Sequence, residues 1–456
     1  MRRIALVLIA AFACLKKPAP PGTGAGQTAP SRAAAGEPAA TRPAPDDSGP
    51  GTAEGRSRML AMMTPGATLP VDKQIEKLQR LVTGNPDKLD AWVVLGEAWV
   101  RKARDVARPS LYANAGACAD LVLGKDPAHE PALALKGLVL MNDHRFEEAR
   151  QLMTQVLARK PDDPKALGTL SDALLELGRT KEAIDAAQRM VDLKPNLPSY
   201  SRAAHLQWLR ADIPGAKESL HGAIDAGGDS KDTEPLAWVV VQAAMIFWNE
   251  GDVEGAETGF DQALKKLPAF PPALAGKGRV LIGKGDGKGA AALLEQSYKA
   301  NPLIETGWLL GDARELAGDA AGAKQVRDEI ERRGKAADPR TLALYLATKD
   351  QKHDEAAQLA LDERNTRDDQ YTEDTVAWAL YRQGKLDEAL TASAKACELG
   401  TRDARLWFHR GAIKLAEGDA SGRELIRKAL ALNPRFDMTG QAEAHRLLAA
   451  PLAKGK

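Results

Sequence analysis

Residues 127–161 read PAHEPALALKGLVLMNDHRFEEARQLMTQVLARKP, and their spacing decides the fold. Leu133, Gly137 and Leu140 recur at helical spacing, and Ala149, Met153 and Val156 do so again. The polar turn Asn142-Asp143-His144-Arg145 separates the two runs. Pro161 ends the second, because a proline ring removes a backbone donor and clashes with the preceding turn. The design recurs outward in both directions. Pro127, Pro161 and Pro195 stand 34 residues apart, as do Pro268 and Pro302. The unit ending at Pro195 carries Leu167, Leu170, Leu174, then Ala183, Ala187 and Met190. The unit ending at Pro302 carries Leu274, Gly278, Leu281, then Ala290 and Leu294, around the turn Gly283-Lys284-Gly285-Asp286. One helical pair cannot bury its apolar face alone, so a fixed period of this size means stacked pairs sharing a core. Gly137 and Gly278 are expected to face Ala149 and Ala290, small against small, so that the helices of a unit cross closely.

Trp92-x-x-Leu95-Gly96-x-x-Trp99 matches the opening of the tetratricopeptide repeat, and Ala149-x3-Met153 and Ala290-x3-Leu294 stand where that family has Ala-x3-Phe. The chain resembles that family. Ser171 departs from its usual glycine, and insertions occur near Arg108–Tyr112 and Trp248–Asn249. Gly227 to Glu234 adds a loop, and the units near 338–364 and 370–400 are degenerate. The fold class is therefore all-α, an α-solenoid of helix-turn-helix repeats filling residues 69–450. About ten units are expected between Leu89 and Pro434, with half-units at Val71–Asn85 and Gln441–Ala450 as caps. The resemblance implies a right-handed superhelix whose concave groove binds an extended or helical peptide of a partner protein.

Composition narrows the function. The chain holds 63 basic and 62 acidic residues, which removes the electrostatic footprint of a dedicated nucleic-acid binder. Cys14, Cys118 and Cys397 have no metal-ligand spacing, and in a solenoid Cys118 and Cys397 lie too far apart to bridge. No histidine pair has H-E-x-x-H spacing. Gly278 to Gly285 matches G-x-x-x-x-G-K, but Gly285 stands where a phosphate loop needs Ser or Thr, and the segment should be a helix end. Glu147, Asp252, Asp286, Asp319, Asp387 and Asp419 read as helix-start carboxylates. The sequence thus gives no catalytic residue, metal site, cofactor or small-molecule substrate.

The N-terminus reads as an address. Arg2 and Arg3 precede an apolar run from Ile4 to Ala13, too short for the roughly 20 residues a spanning helix needs. Ala11-Phe12-Ala13-Cys14 resembles a bacterial lipobox, with Cys14 as the lipid-bearing residue. The expected domains are a signal peptide, 1–13, and a disordered Pro/Ala/Gly-rich linker, 14–68, of span roughly 40 Å. The implied location is the outer membrane, facing the periplasm through a lipid anchor; simple cleavage would give a soluble periplasmic or secreted protein.

Positions following the packed ones in each first helix should point into the groove. On that spacing the binding candidates are Phe247, Trp308, Trp378, Tyr381 and Phe408, with Arg202, Arg279 and Asp312 among the charged residues. The reading is a non-catalytic scaffold with a protein or peptide partner. An assembly factor, pilotin-like or part of an outer-membrane complex, is the narrower alternative. A glycan-binding or enzyme-accessory solenoid is the other.

Overall fold

A computed structural model describes residues 52–67, 69–106, 108–228 and 233–451. The signal segment, Cys14 and most of the expected linker lie outside the described residues. Among those described, the chain is 23 α-helices with no strand. α1 (Ala53–Ala61) and α2 (Pro70–Gly84) come first. Ten helical hairpins follow: α3 (Leu89–Asp105) with α4 (Tyr112–Lys125), α5 (Glu130–Asn142) with α6 (Phe146–Arg159), α7 (Pro164–Glu176) with α8 (Thr180–Leu193), α9 (Leu197–Leu209) with α10 (Ile213–Gly227), and α11 (Glu234–Asn249) with α12 (Val253–Lys266). The second five are α13 (Pro271–Gly283) with α14 (Gly287–Ala300), α15 (Ile304–Leu316) with α16 (Ala320–Ala337), α17 (Pro339–Thr348) with α18 (His353–Arg364), α19 (Gln370–Gln383) with α20 (Leu386–Ala396), and α21 (Ala404–Ala416) with α22 (Gly422–Leu432). α23 (Met438–Ala449) closes the array. No described helix is long and apolar enough to cross a membrane.

The expected linker stops short of residue 68. Thr52 caps α1 by accepting from the Gly55 N–H at 3.0 Å. The far end of α1 is then tied by side chains of three other helices: Gln79 and the Trp99 indole donate to the Ala61 carbonyl, both at 3.1 Å, and Asn114 to the Leu60 carbonyl at 2.7 Å. These hydrogen bonds add to the packing of Leu60, Ala61 and Met62 against the core of the first hairpins.

Within a hairpin the glycines meet the large residues of the partner helix. A Cβ on Gly137 would lie 2.7 Å from Met153 Cε, and one on Gly278 would lie 2.5 Å from Leu294 Cγ. The glycines thus face Met153 and Leu294, one helical turn beyond the expected Ala149 and Ala290. Second helices start with a recurring Asp-x-x-Gly cap. Asp212, Asp252, Asp286 and Asp319 accept from the N–H of Gly215, Gly255, Gly289 and Gly322 at 3.0, 2.9, 2.8 and 2.9 Å. Each such cap is worth about 1 kcal/mol. Cys118 and Cys397 are buried and free.

A solenoid ordinarily joins only neighbouring repeats. Here a second superhelical turn lands on the first. The Asp368 N–H donates to the Glu176 carbonyl at 2.8 Å. Arg367, 2 % exposed, reaches His144 Nδ1 at 3.0 Å and lies 5.3 Å over the Phe146 ring. Its guanidinium also stands 3.8 Å from Glu176 and 3.4 Å from Glu363. The Thr401 hydroxyl donates to the Leu209 carbonyl, 192 residues away, which is between five and six periods. Arg402 pairs with Glu250 at 2.7 Å, Asn433 donates to the Trp248 carbonyl at 2.8 Å, and Arg435 to the Gly283 carbonyl at 3.0 Å. Gly178 and Gly251 sit at this seam with φ of +73° and +77°. A Cβ on either would lie 2.6 Å from the Asp368 carbonyl oxygen or 2.7 Å from that of Leu432, so the seam closes only over glycine.

Candidate functional site

The closed seam turns most of the inner face into a chamber of about 350 Å³. First helices α9, α11, α13, α15, α17, α19 and α21 form its wall, together with residues 433–437. The small side chain of Ala275 leaves space on α13. Trp208, Trp238, Trp248, Trp308, Tyr371 and Phe436 supply aromatic surface. Trp208 stacks on Tyr371 across the seam, ring centroids 6.4 Å apart, and Trp308 meets Tyr345 edge-on at 5.6 Å.

Three arginines share the wall with these rings. Arg279 donates to Glu305 Oε1 at 2.6 Å. Burial pushes the Glu305 carboxyl up, but Arg279, Arg405 and Arg340 outweigh it and hold the group below its ordinary value. Protein surrounds Glu305, yet 49 % of its side-chain surface is open, so that surface faces the chamber. Arg340 is fixed by Asp369 at 3.2 Å. Arg405 differs. Its nearest carboxylate oxygen, on Asp374, is 3.7 Å from Nε, its guanidinium lies 6.0 Å over the Tyr371 ring, and its Nε–H has no acceptor among the described residues. Burial disfavours its charge, but Asp403 and Asp374 more than restore it, so Arg405 stays a cation. The Nε–H of Arg279 and of Arg405, and the indole N–H groups of Trp208, Trp238 and Trp308, are buried with no acceptor among the described residues.

The first three hairpins lie outside this enclosure. Lys165 on α7 reaches Glu97 on α3 at 3.7 Å, across the intervening hairpin. First helices two units apart approach only on the inner side of the curve, so both residues mark the inner face. Val94, one turn before Ala98 on α3, is 40 % exposed there, beside Asp90 with 79 % of its side chain open.

Tetratricopeptide-repeat family models match residues 140–207 and 241–303. A TPR repeat-containing protein of Pseudomonas aeruginosa is 35 % identical over 82 residues, which cover 70 % of that protein and 17 % of this chain. The chain belongs to the tetratricopeptide-repeat family. Cellulose synthase operon protein C of Pseudomonas fluorescens is 28 % identical over 222 residues, 47 % of this chain but only 16 % of that protein. A crystal structure of a tetratricopeptide repeat protein from Parabacteroides merdae superposes with a TM-score of 0.40 at 16 % identity, covering 52 % of this chain and 93 % of that one. A tetratricopeptide-repeat solenoid is a protein-interaction scaffold, and that is the fold this chain adopts.

Among the groove candidates, Trp308 and Arg279 line the chamber of this tetratricopeptide-repeat array. The others are placed differently. Trp378 and Phe408 are wholly buried between the last two hairpins, where Trp378 stacks on Tyr381, His409 and the Arg382 guanidinium at 4.9, 4.0 and 4.3 Å. Arg202 is also wholly buried, in a two-bond pair with Asp172 at 2.9 and 2.6 Å. Asp312, 2 % exposed, accepts from Lys349 at 2.8 Å and Arg327 at 3.1 Å. Phe247 and Tyr381 are half-buried, Phe247 beneath the Lys217 ammonium at 4.7 Å. A large ring gains more between packed helices than on a curved inner surface, and a partner on the next repeat offsets the cost of burying a charge in the core. Gly278 to Gly283 is helix and Lys284 caps its end, the reverse of a phosphate loop. Arg405, Trp208 and Trp238 were not singled out in the sequence; inner-face spacing alone does not separate them from core residues.

Proposed function

We propose that this protein is a non-catalytic scaffold of the cell envelope that holds a partner protein on the open inner face of its first three hairpins. The observation that carries this reading is Val94, an exposed apolar side chain flanked on that face by Asp90, Glu97 and Lys165. An apolar centre with a charged rim is the ordinary build of a protein interface. Benzoylphenylalanine at position 94 is expected to yield a partner adduct when cells are irradiated. The same probe at exposed Leu316 is expected to give none. No adduct from position 94, or the same adduct from both, overturns the reading.

The envelope assignment rests on the Arg2 to Cys14 segment of the sequence. We propose a lipid on Cys14 and an outer-membrane address. Intact mass of the chain from its own membranes should show a start at Cys14, heavier by a diacylglyceryl and an acyl group. An unmodified soluble chain with the same start removes the anchor. A role as an assembly factor has in its favour the kinship with Cellulose synthase operon protein C.

A further inference from the structure

We propose that the chamber is a binding site for a compact organic anion, one acidic group on a flat apolar body. The sequence carries no sign of such a ligand, because Arg279 and Arg405 lie 126 residues apart and meet only through the superhelix. Three observations carry the proposal. The first is size: about 350 Å³ falls at the lower end of small-molecule sites, roughly 300–1,000 Å³. The second is surface: the rings of Trp208, Trp308, Tyr371 and Phe436 offer flat apolar contact.

The third is charge. Arg405 lines the chamber with 27 % of its side-chain surface open, and the carboxylate oxygen nearest it, on Asp374, is 3.7 Å away. One oxygen of each wall carboxylate is already committed: Glu305 serves Arg279, Asp403 caps α21 through the Arg405 N–H at 2.9 Å, and Asp437 caps α23 through the Gly440 N–H at 2.5 Å. Arg405 is thus the cation that an acidic group entering the chamber meets, in surroundings where burial strengthens its pull on an anion. The carboxylates between the arginines weigh against a polyanion such as RNA.

The test uses two dyes of one ring skeleton. Anilinonaphthalene sulfonate carries the acidic group, and N-phenylnaphthylamine lacks it. The intact protein should bind the sulfonate one-to-one, with quenching of tryptophan emission. Arg405→Gln should weaken it at least tenfold, Arg405→Lys by less, and neither should change the neutral dye more than twofold. Ala275→Trp, which fills the space, should abolish binding of both. The proposal falls if Arg405→Gln, with native circular dichroism, leaves sulfonate affinity within twofold. It also falls if Ala275→Trp leaves the dyes bound, since they would then sit elsewhere. None of these readouts involves Val94, so this site and the partner face fail independently.

Discussion

Asp172→Ala is expected to cost about 3–5 kcal/mol of stability, read as a fall in the urea midpoint. Asp172 and Arg202 are 1 % and 0 % exposed, and both carboxylate oxygens accept from the guanidinium. The arginine also donates to the Gly168 carbonyl and to that of Pro198, both at 3.1 Å. It therefore pins α7 to α9 through backbone as well as side chain. Without Asp172, the cation stays in the core with carbonyls alone to balance it. The double variant Asp172→Ala/Arg202→Met removes the stranded charge, and it should recover most of the loss. A cost below about 1 kcal/mol for the single variant would mean that water reaches Arg202 and the pair is not structural.

Arg367→Ala should open the seam. The guanidinium lies between Glu176 on the first turn and Glu363 on the second, and over Phe146. Its removal takes the nearest cation from two carboxylates that see little water, with Arg340 left as a charge neighbour of both. A loss of about 2–3 kcal/mol is expected, somewhat less than for a fully buried pair, because both glutamates keep some exposure. The more telling readout is shape. Small-angle scattering should give a larger radius of gyration, and acrylamide should quench the tryptophans more, since Trp208 and Trp248 border the seam. Unchanged scattering and quenching would show that the remaining crossings hold the turns together without Arg367.

The repeats were legible because they are written locally. Prolines 34 residues apart at Pro127, Pro161 and Pro195 and at Pro268 and Pro302, apolar residues at helical spacing and an aspartate at the start of several second helices each act within one hairpin. Ten hairpins lie between Leu89 and Leu432, and those over 338–400 carry that code only weakly. α1 was not legible, because Ala53–Ala61 has no apolar stripe and is held by Gln79, Trp99 and Asn114 from elsewhere. The seam was not legible either, since no local pattern records that Thr401 will meet Leu209. The chamber depends on the seam, which is why Trp308 and Arg279 were found and Arg405 was not.

Gly178 and Gly251 have an evolutionary consequence. Open repeat arrays can lengthen or shorten by duplication and deletion, because each unit needs only its neighbours. This array cannot do so freely between α9 and α17. One added hairpin would rotate every later loop by a fraction of a turn, and the carbonyls of Asp368 and Leu432 would then face side chains in place of glycine. The number of units is thereby counted by the protein itself, as links are counted by a clasp that fits only one length of chain.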